Sequence, residues 1–379
     1  MKPETLLQTL SEKLANYAPK SKLQALVGFD GYVDKIQKVV QAKQATGNDY
    51  FDSIGGLAGL IGTLAGKSGQ IELVTHETKI GGNAPILANA VAALGVPNWC
   101  YGTLSDPVFE GMHPTCERVS LGPPAETNAL EFGDGKVILS EVSVFERLRW
   151  SAVVEQVGLD TLRQQFESSQ LVAFVDWANL PHGNELWRSF LTEVVAPGGP
   201  KSGSASRLFF FDLCDPTKRS PHDINEALSV VAGYAPFGSV ILGMNENEAR
   251  RIYLAIQGHS PADTVLLSET PDLLRIALFI REQTGIPTVM IHPTDRCLVA
   301  SESGVQEWPG RLVPQPKVLT GGGDNLNAGF CWALLNGFDT DEAMMLGMAT
   351  SGAYIQNGCS PTVQELQEYL ALWRGGLVS

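Results

Sequence analysis

The stretch "VLTGGGDNLNAGF", residues 318–330, decides how this chain is read. Three glycines, Gly321, Gly322 and Gly323, run into Asp324 and then into a segment whose apolar face includes Leu326, Phe330, Leu334 and Leu335. The pattern predicts a helix over 324–336 that begins at the glycine turn. At such a start the first backbone N–H groups lack helical partners, the helix dipole favours negative charge, and glycines let the main chain approach an anion closely. A phosphate suits that position. A carboxylate beside it has a use where a hydroxyl must lose its proton as a phosphoryl group arrives. Asp324 would take the proton, and the amides of residues 321–323 would bear the transferred charge. The plain alternative is a tight turn in which Asp324 only caps the helix.

Working outward, short apolar runs at 23–29, 71–75, 171–177, 207–213, 239–243 and 288–293 read as strands covered on both faces. Helical patterns at 84–94, 151–168, 184–195, 223–233, 246–257 and 271–284 lie between them, and the N-terminal "MKPETLLQTLSEKLANY" is a further helix rather than a secretory signal. The βαβα order predicts an α/β fold with a mainly parallel sheet and right-handed crossovers. One segment departs from it: "AETNALEFGDGKVILSEVSVFE", 125–146, reads as two strands around Gly-Asp-Gly, a hairpin projecting as a flap. The stretch "APGGPKSGSAS", 196–206, is a surface loop by composition.

A chain of 379 residues fits one large α/β domain with an appendage. Its 27 basic against 41 acidic side chains give a net charge of −14, which repels nucleic acid backbones and anionic membrane surfaces. No apolar run approaches the roughly 18 residues of a membrane helix. Six scattered cysteines without a C-x-x-C pair point to a reducing cytoplasm and no zinc site. "GTLAGKS", 62–68, is one residue short of a P-loop, and the six histidines lack metal-ligand spacing.

Two more stretches bear on chemistry. "KIGGNAPILANAVAALG", 79–95, sets Gly81, Gly82 and Asn83 at a helix start with Pro85 in the first turn, where proline is tolerated. "LVGFDGYVDKI" puts Asp30 and Asp34 where the chain leaves a strand, toward the usual ligand crevice of a parallel sheet. Of the two, Asp30 reads as the one more suited to an exposed loop.

Together the three stretches resemble the ribokinase-like carbohydrate kinases, the PfkB family, over residues 23–360 or so. The resemblance implies a ribokinase-like fold: a mainly parallel central sheet flanked by helices, with a small β-strand lid, in one domain over 1–379 whose lid hairpin lies at about 125–146. It implies transfer of the γ-phosphate of ATP to a sugar or sugar-like hydroxyl, with Asp324 as base and Gly321, Gly322 and Gly323 as anion hole. Asp34, with Asp30 beside it, and Gly81, Gly82 and Asn83 would hold the acceptor. "FFFDLCDPTKR" resembles the family's strand ending in Asp-Pro and a basic residue, here Asp215, Pro216 and Arg219. "ILGMNENEA" resembles its Asn-x-x-Glu motif, with Asn245 and Glu248 serving nucleotide and Mg²⁺, the latter through water. The loop that in the family reads Thr-Leu-Gly-x-x-Gly corresponds to "IHPTDRCLVA", with His292 and Thr294 on the nucleotide and neither glycine. Val318 and Leu319 replace the family's Asp-Thr and weaken a monovalent-cation site.

Over the acceptor, the flap carries Asn128 or Glu131 inward; they differ by three, so a regular strand turns only one of them in. Asn128 is the choice, since an amide both donates to and accepts from a polyol. A hairpin that buries apolar surface or pairs with a second subunit is the plain alternative, and the resemblance permits a homodimer. A nucleoside kinase, an ADP-dependent sugar kinase and a non-catalytic sugar-binding regulator remain compatible with the same motifs.

Overall fold

The structure, a computed structural model, describes residues 2–19, 22–200, 207–318 and 320–378. Residues 201–206 of the expected surface loop, Leu319, and Met1 of the first helix lie outside the described residues. Fourteen strands occur among them: β1 (Ala25–Gly28), β2 (Tyr32–Gln44), β3 (Gly47–Tyr50), β4 (Leu73–Gly81), β5 (Asn98–Gly102), β6 (Cys116–Ser120), β7 (Ala125–Phe132), β8 (Gly135–Glu141), β9 (Leu171–Phe174), β10 (Arg207–Asp212), β11 (Gly238–Met244), β12 (Thr288–Ile291), β13 (Arg296–Ser301) and β14 (Gly304–Pro309).

The uniformly apolar runs become central strands because both faces are covered: every residue of β1, β9 and β10 is buried. Nine strands form the central sheet in the order β14-β13-β12-β11-β10-β9-β1-β5-β6, parallel from β12 to β6, with β13 and β14 antiparallel at one edge. Alternation along β10 sends Leu208 and Phe210 into one core and Phe209 and Phe211 into the other. The first core is closed by the helices Pro3–Ala15, Asn83–Ala93, Gly322–Leu335 and Thr340–Asn357. The second is closed by Leu159–Ser168, Gly183–Ser189, Pro221–Ala232 and Leu273–Thr284, among others. No helix among the described residues is long and apolar enough to cross a membrane.

Five strands form a second sheet, β3-β2-β7-β8 with β4 on the free side of β2. The hairpin expected at 125–146 is β7 and β8, joined at Gly133 and Asp134 and ending at Glu141; residues Ser143–Arg147 turn as a 3-10 helix. The hairpin is the smaller part of the sheet. "IELVT" enters β4 here, not the central sheet: past Leu73 the strand runs through the polar His76, Glu77 and Lys79 and is mostly exposed, which a two-side-covered central strand would not be. The central strand beyond the helix at 83–93 is β5, which the sequence reading passed over. Nor does the chain leave the sheets after β1, since "YVDKIQKVVQAKQ" is β2, with Asp34 its third residue. Tyr32 at its root donates to Asp176 Oδ2 (3.0 Å) beyond β9 and stacks edge-on with Phe145 (5.2 Å between centroids), so the second sheet is fastened to the first where it departs.

The long helix expected over 151–168 breaks at Gly158, whose φ of 85° lies in the region that favours glycine. That over 184–195 loosens into a π-turn at Phe190–Val195. The helix of the decisive stretch runs over Gly322–Leu335 and packs closely on Thr340–Asn357. A Cβ at Gly329 would stand 2.3 Å from Thr350 Oγ1, and one at Gly347 would stand 2.9 Å from the Leu326 carbonyl oxygen. Gly329→Ala is therefore expected to force the two helices apart and to cost about 1–3 kcal/mol in chemical denaturation, the range for overpacking a core. An unchanged midpoint would mean that this contact does not set their spacing.

Candidate active site

At the C-terminal ends of the parallel strands, two helix starts face each other. Asp30, just after β1, is wholly buried rather than exposed, because both its oxygens serve a helix: Oδ2 accepts from Asn83 N and Oδ1 from Ala84 N, each at 2.7 Å. These are orphan donors of the helix Asn83–Ala93, so Asp30 caps it from another strand. Burial pushes its carboxyl up to about 6, against the pull of the two amides. Gly82 (φ 95°) allows the approach, since a Cβ there would stand 2.6 Å from Asp30 Oδ2. Gly81 lies under the other acid, with its would-be Cβ 2.3 Å from Asp34 Oδ1.

Asn83 Nδ2 then donates to Asp324 Oδ1 at 2.9 Å, across 241 residues of sequence. The two Gly-rich stretches meet through this bond. Asp324 occupies the first turn of Gly322–Leu335, is only 6% exposed, and follows Gly321, whose φ of 86° is left-handed. Burial, then the charge of Asp212, holds its carboxyl well above the usual aspartate range, while Asn83 pulls it down.

Asp212, which the sequence reading did not single out, ends β10 between Asn327 Nδ2 (3.0 Å) and Cys214 N (2.8 Å), and Asn327 sits one turn after Asp324. The signal was there: an apolar strand running into an acid at its C-terminal end. Asp215 is exposed and instead caps a 3-10 turn by accepting from Thr217 N (3.0 Å). Arg219 is occupied structurally, with its guanidinium 4.1 Å from the Trp177 ring centroid and donating to the Leu180 carbonyl.

Asn245 and Glu248 form a capping box at the start of Glu246–Ile256: Glu248 N donates to Asn245 Oδ1 (3.0 Å) and Asn245 N to Glu248 Oε2 (2.8 Å). Glu248 is nonetheless buried and leaves its second oxygen outside that box. Burial and the charges of Asp212 and Asp324 raise its carboxyl well above the usual range. Asp212, Glu248 and Asp324 thus share one acidic neighbourhood, and among the described residues none of the three has an ion-pair partner. Buried carboxylates without counter-charge suit a hard divalent cation, but the three do not converge closely enough to ligate one ion together, so such an ion would be held through water.

Beside the glycine turn opens a cavity of about 390 Å³ lined by Asn245, His292, Thr294, Gly322, Gly323 and, on its apolar side, Leu326, Met348 and Ile355. Burial pushes the His292 imidazole down to about 4, its Nε2 has no partner, and its ring lies against Gly323. Asp34, on β2 above Gly81, is half-buried. Burial raises its carboxyl, while Lys79, a hydrogen bond to Thr127 and Lys136 oppose the rise. The Tyr354 hydroxyl, pushed up to about 12 by burial, also feels both Asp324 and Asp34.

Register corrects the choice of Asn128. Asp34 pairs with Thr127, and Asn128 pairs with Lys35, so Asn128 emerges on the face away from Asp34. Thr127, Glu131 and Lys136 share the Asp34 face.

Known proteins match this chain along most of its length. A ketohexokinase of Haloferax volcanii is 26% identical over 355 residues, 91% of this chain and 90% of that one. The ribokinase of Thermotoga maritima superposes with a TM-score of 0.61 at 16% identity, covering 92% of this chain and 99% of that one. The ribokinase of Arabidopsis thaliana, complexed with ribose and ATP, does so at 0.58 and 15%, covering 93% and 99%. The fold is therefore ribokinase-like. The family model of the prokaryotic ketohexokinases matches residues 7–373, and the chain accordingly belongs to that family of carbohydrate kinases.

Proposed function

We propose that this sugar kinase transfers the γ-phosphate of ATP to a hydroxyl of a ketohexose, with Asp324 as general base. The observation that carries the reading is the Asn83–Asp324 hydrogen bond, which fixes a buried carboxylate in the first turn of the helix whose opening glycines line the 390 Å³ cavity. The ketohexose acceptor is supported by the family and by the Haloferax relative, and ATP by the ribokinase that binds it.

Asp34 accepts hydrogen bonds from acceptor hydroxyls. Asp30 acts through the helix it caps, fixing Gly81, Gly82 and Asn83 around the sugar. Asp324 removes the proton of the attacking hydroxyl as its oxygen bonds to the γ-phosphorus and the bond to the β-phosphate oxygen breaks. The proton later leaves to water, and ADP and a sugar phosphate are the products. The amides of Gly321, Gly322 and Gly323 stabilise the phosphoryl oxygens. Asn245, His292 and Thr294 border the nucleotide, and His292, neutral at physiological pH, adds no charge. Glu248, with Asp212 near it, would hold Mg²⁺ through water. When bound, the ion neutralises charge on the nucleotide phosphates.

The second sheet acts as a lid, with Thr127 and Glu131 rather than Asn128 turned to the sugar. Its closure excludes water and suppresses loss of ATP to hydrolysis.

Asp324→Asn is expected to lose roughly 10²- to 10⁴-fold in kcat, the worth of one general base, with acceptor binding retained. Because the base acts deprotonated and its pKa is raised, wild-type kcat/KM should be full at high pH. It should fall as pH drops through a value above the ~3.9 of a free aspartate. Normal turnover by the variant would exclude Asp324 as base. Asp34→Ala should weaken acceptor binding by about 1.5–3 kcal/mol and leave nucleotide binding alone; equal weakening of both, by calorimetry, would make Asp34 structural. Removing the hairpin tip at Gly133 and Asp134 should raise ATP hydrolysis without sugar relative to transfer with it, and an unchanged ratio in a folded variant would mean that the sheet is no lid.

A further inference from the structure

The nucleotide cavity has an arginine to which the chemistry above assigns no role. Arg296 and Arg311 both line it, yet they differ in how they are held. Arg296 Nη1 lies 3.0 Å from Asp295 and its Nε 3.0 Å from Glu307, so it is tied down by two acids. Arg311 has no acidic partner among the described residues. Its guanidinium stacks over the Tyr369 ring, 5.2 Å from the centroid, and its Nη1 is buried with no hydrogen-bond partner. Tyr369 is itself fixed: it is 2% exposed and packs so closely on Gly352 that a Cβ there would stand 2.1 Å from its hydroxyl. A buried guanidinium N–H without an acceptor is costly, and a guanidinium positioned against Tyr369 has its remaining donors free for an acceptor edge.

The helix Thr340–Asn357 gives the cavity a ruler. At one end Gly322, beside the anion hole, borders Ser351 and Ile355; at the other Gly310, next to Arg311, borders the Met348 sulfur. Met348 lies one turn from Ser351 and two from Ile355, about 5–10 Å along the axis. A nucleotide with its terminal phosphate at the glycine turn would carry its base toward the Arg311 end.

We propose that Arg311 is the base-reading residue of the nucleotide site, donating to acceptors on the edge of a purine. An arginine has donors only. Against adenine it meets one ring nitrogen flanked by an amine that is itself a donor. A 6-oxopurine offers two adjacent acceptors, the pairing that arginine makes with guanine. Arg311 therefore admits 6-oxopurine triphosphates at least as well as ATP. The inference rests on the nucleotide reading of this cavity.

The test is calorimetric titration of the full chain with Mg²⁺ and, in turn, ATP, inosine triphosphate and inorganic tripolyphosphate, using wild type, Arg311→Met and Arg311→Lys. Wild type is expected to bind inosine triphosphate at least as tightly as ATP. Arg311→Met should weaken inosine triphosphate by roughly 10-fold or more, the scale of hydrogen bonds to a charged group, and ATP by less. Tripolyphosphate should change less than about twofold, with Arg311→Lys falling between. Unchanged affinity for both nucleotides in a folded Arg311→Met would overturn the proposal alone, as would a parallel loss of tripolyphosphate, which would make Arg311 a phosphate clamp. Failure of wild type to bind any of the three would overturn the nucleotide reading and this inference together. Should Arg311→Met not fold, Arg311→Lys decides: a loss greater than about threefold for inosine triphosphate supports the proposal, and no loss overturns it.

Discussion

The hydrogen bond from Asn83 to Asp324 is the constraint on which the rest of the site depends. It joins two helix starts from opposite ends of the chain, and neither start is free to move: Asp30 caps the first from β1, and Asn327, one turn beyond Asp324 in the second, is held by Asp212 from β10. Each link joins polar or charged groups, buried or half-buried, at a strand end or a helix start, where an unsatisfied partner would cost about 1–3 kcal/mol. The central sheet thereby fixes the distance between acceptor side and nucleotide side, which is what a displacement between two bound substrates requires.

The same arrangement explains the concentration of buried acid. Asp30, Asp212, Glu248 and Asp324 all lie at C-terminal strand ends or the helix starts beside them, all have carboxyls raised by burial, and the charge of Asp212 raises those of Glu248 and Asp324 further. Asp30 is satisfied by a helix and needs nothing more. The other three lack counter-charge within the protein, a debt that a divalent cation and the N–H groups of the glycine turn would settle. On the proposed mechanism, stability and function oppose each other here: the cluster is costly in the free protein and would become favourable once cation and nucleotide bind.

Much of this was legible in the sequence, for local reasons. The helix start at glycines 321–323, with Asp324 in its first turn, read correctly because helix starts, glycine turns and first-turn acids are properties of neighbouring residues. The central strands β1, β9, β10, β11 and β12 read correctly because burial on both faces leaves an unbroken apolar run. What failed was non-local. Asp30 looked like a loop acid because its partners, the amides of Asn83 and Ala84, lie more than fifty residues away. Asn128 was turned the wrong way because its facing is set by the pairing of β7 with β2, and the mixed pattern of "DKIQKVVQ" hid β2 altogether. Asp212 was passed over for Asp215 three residues later, and only the end of β10 separates the buried acid from the exposed one.

Fastening the second sheet at Tyr32 and Asp176, with Asp34 only two residues beyond Tyr32, would, on the proposed mechanism, make acceptor binding and lid position parts of one element. The central claim is that the phosphoryl group passes directly from the glycine turn to a sugar hydroxyl activated by Asp324. A single-turnover quench with γ-labelled ATP, Mg²⁺ and a ketohexose tests it most directly. The account predicts that the label leaves the nucleotide and appears in the sugar phosphate; label recovered as inorganic phosphate, or left in ATP, would contradict it.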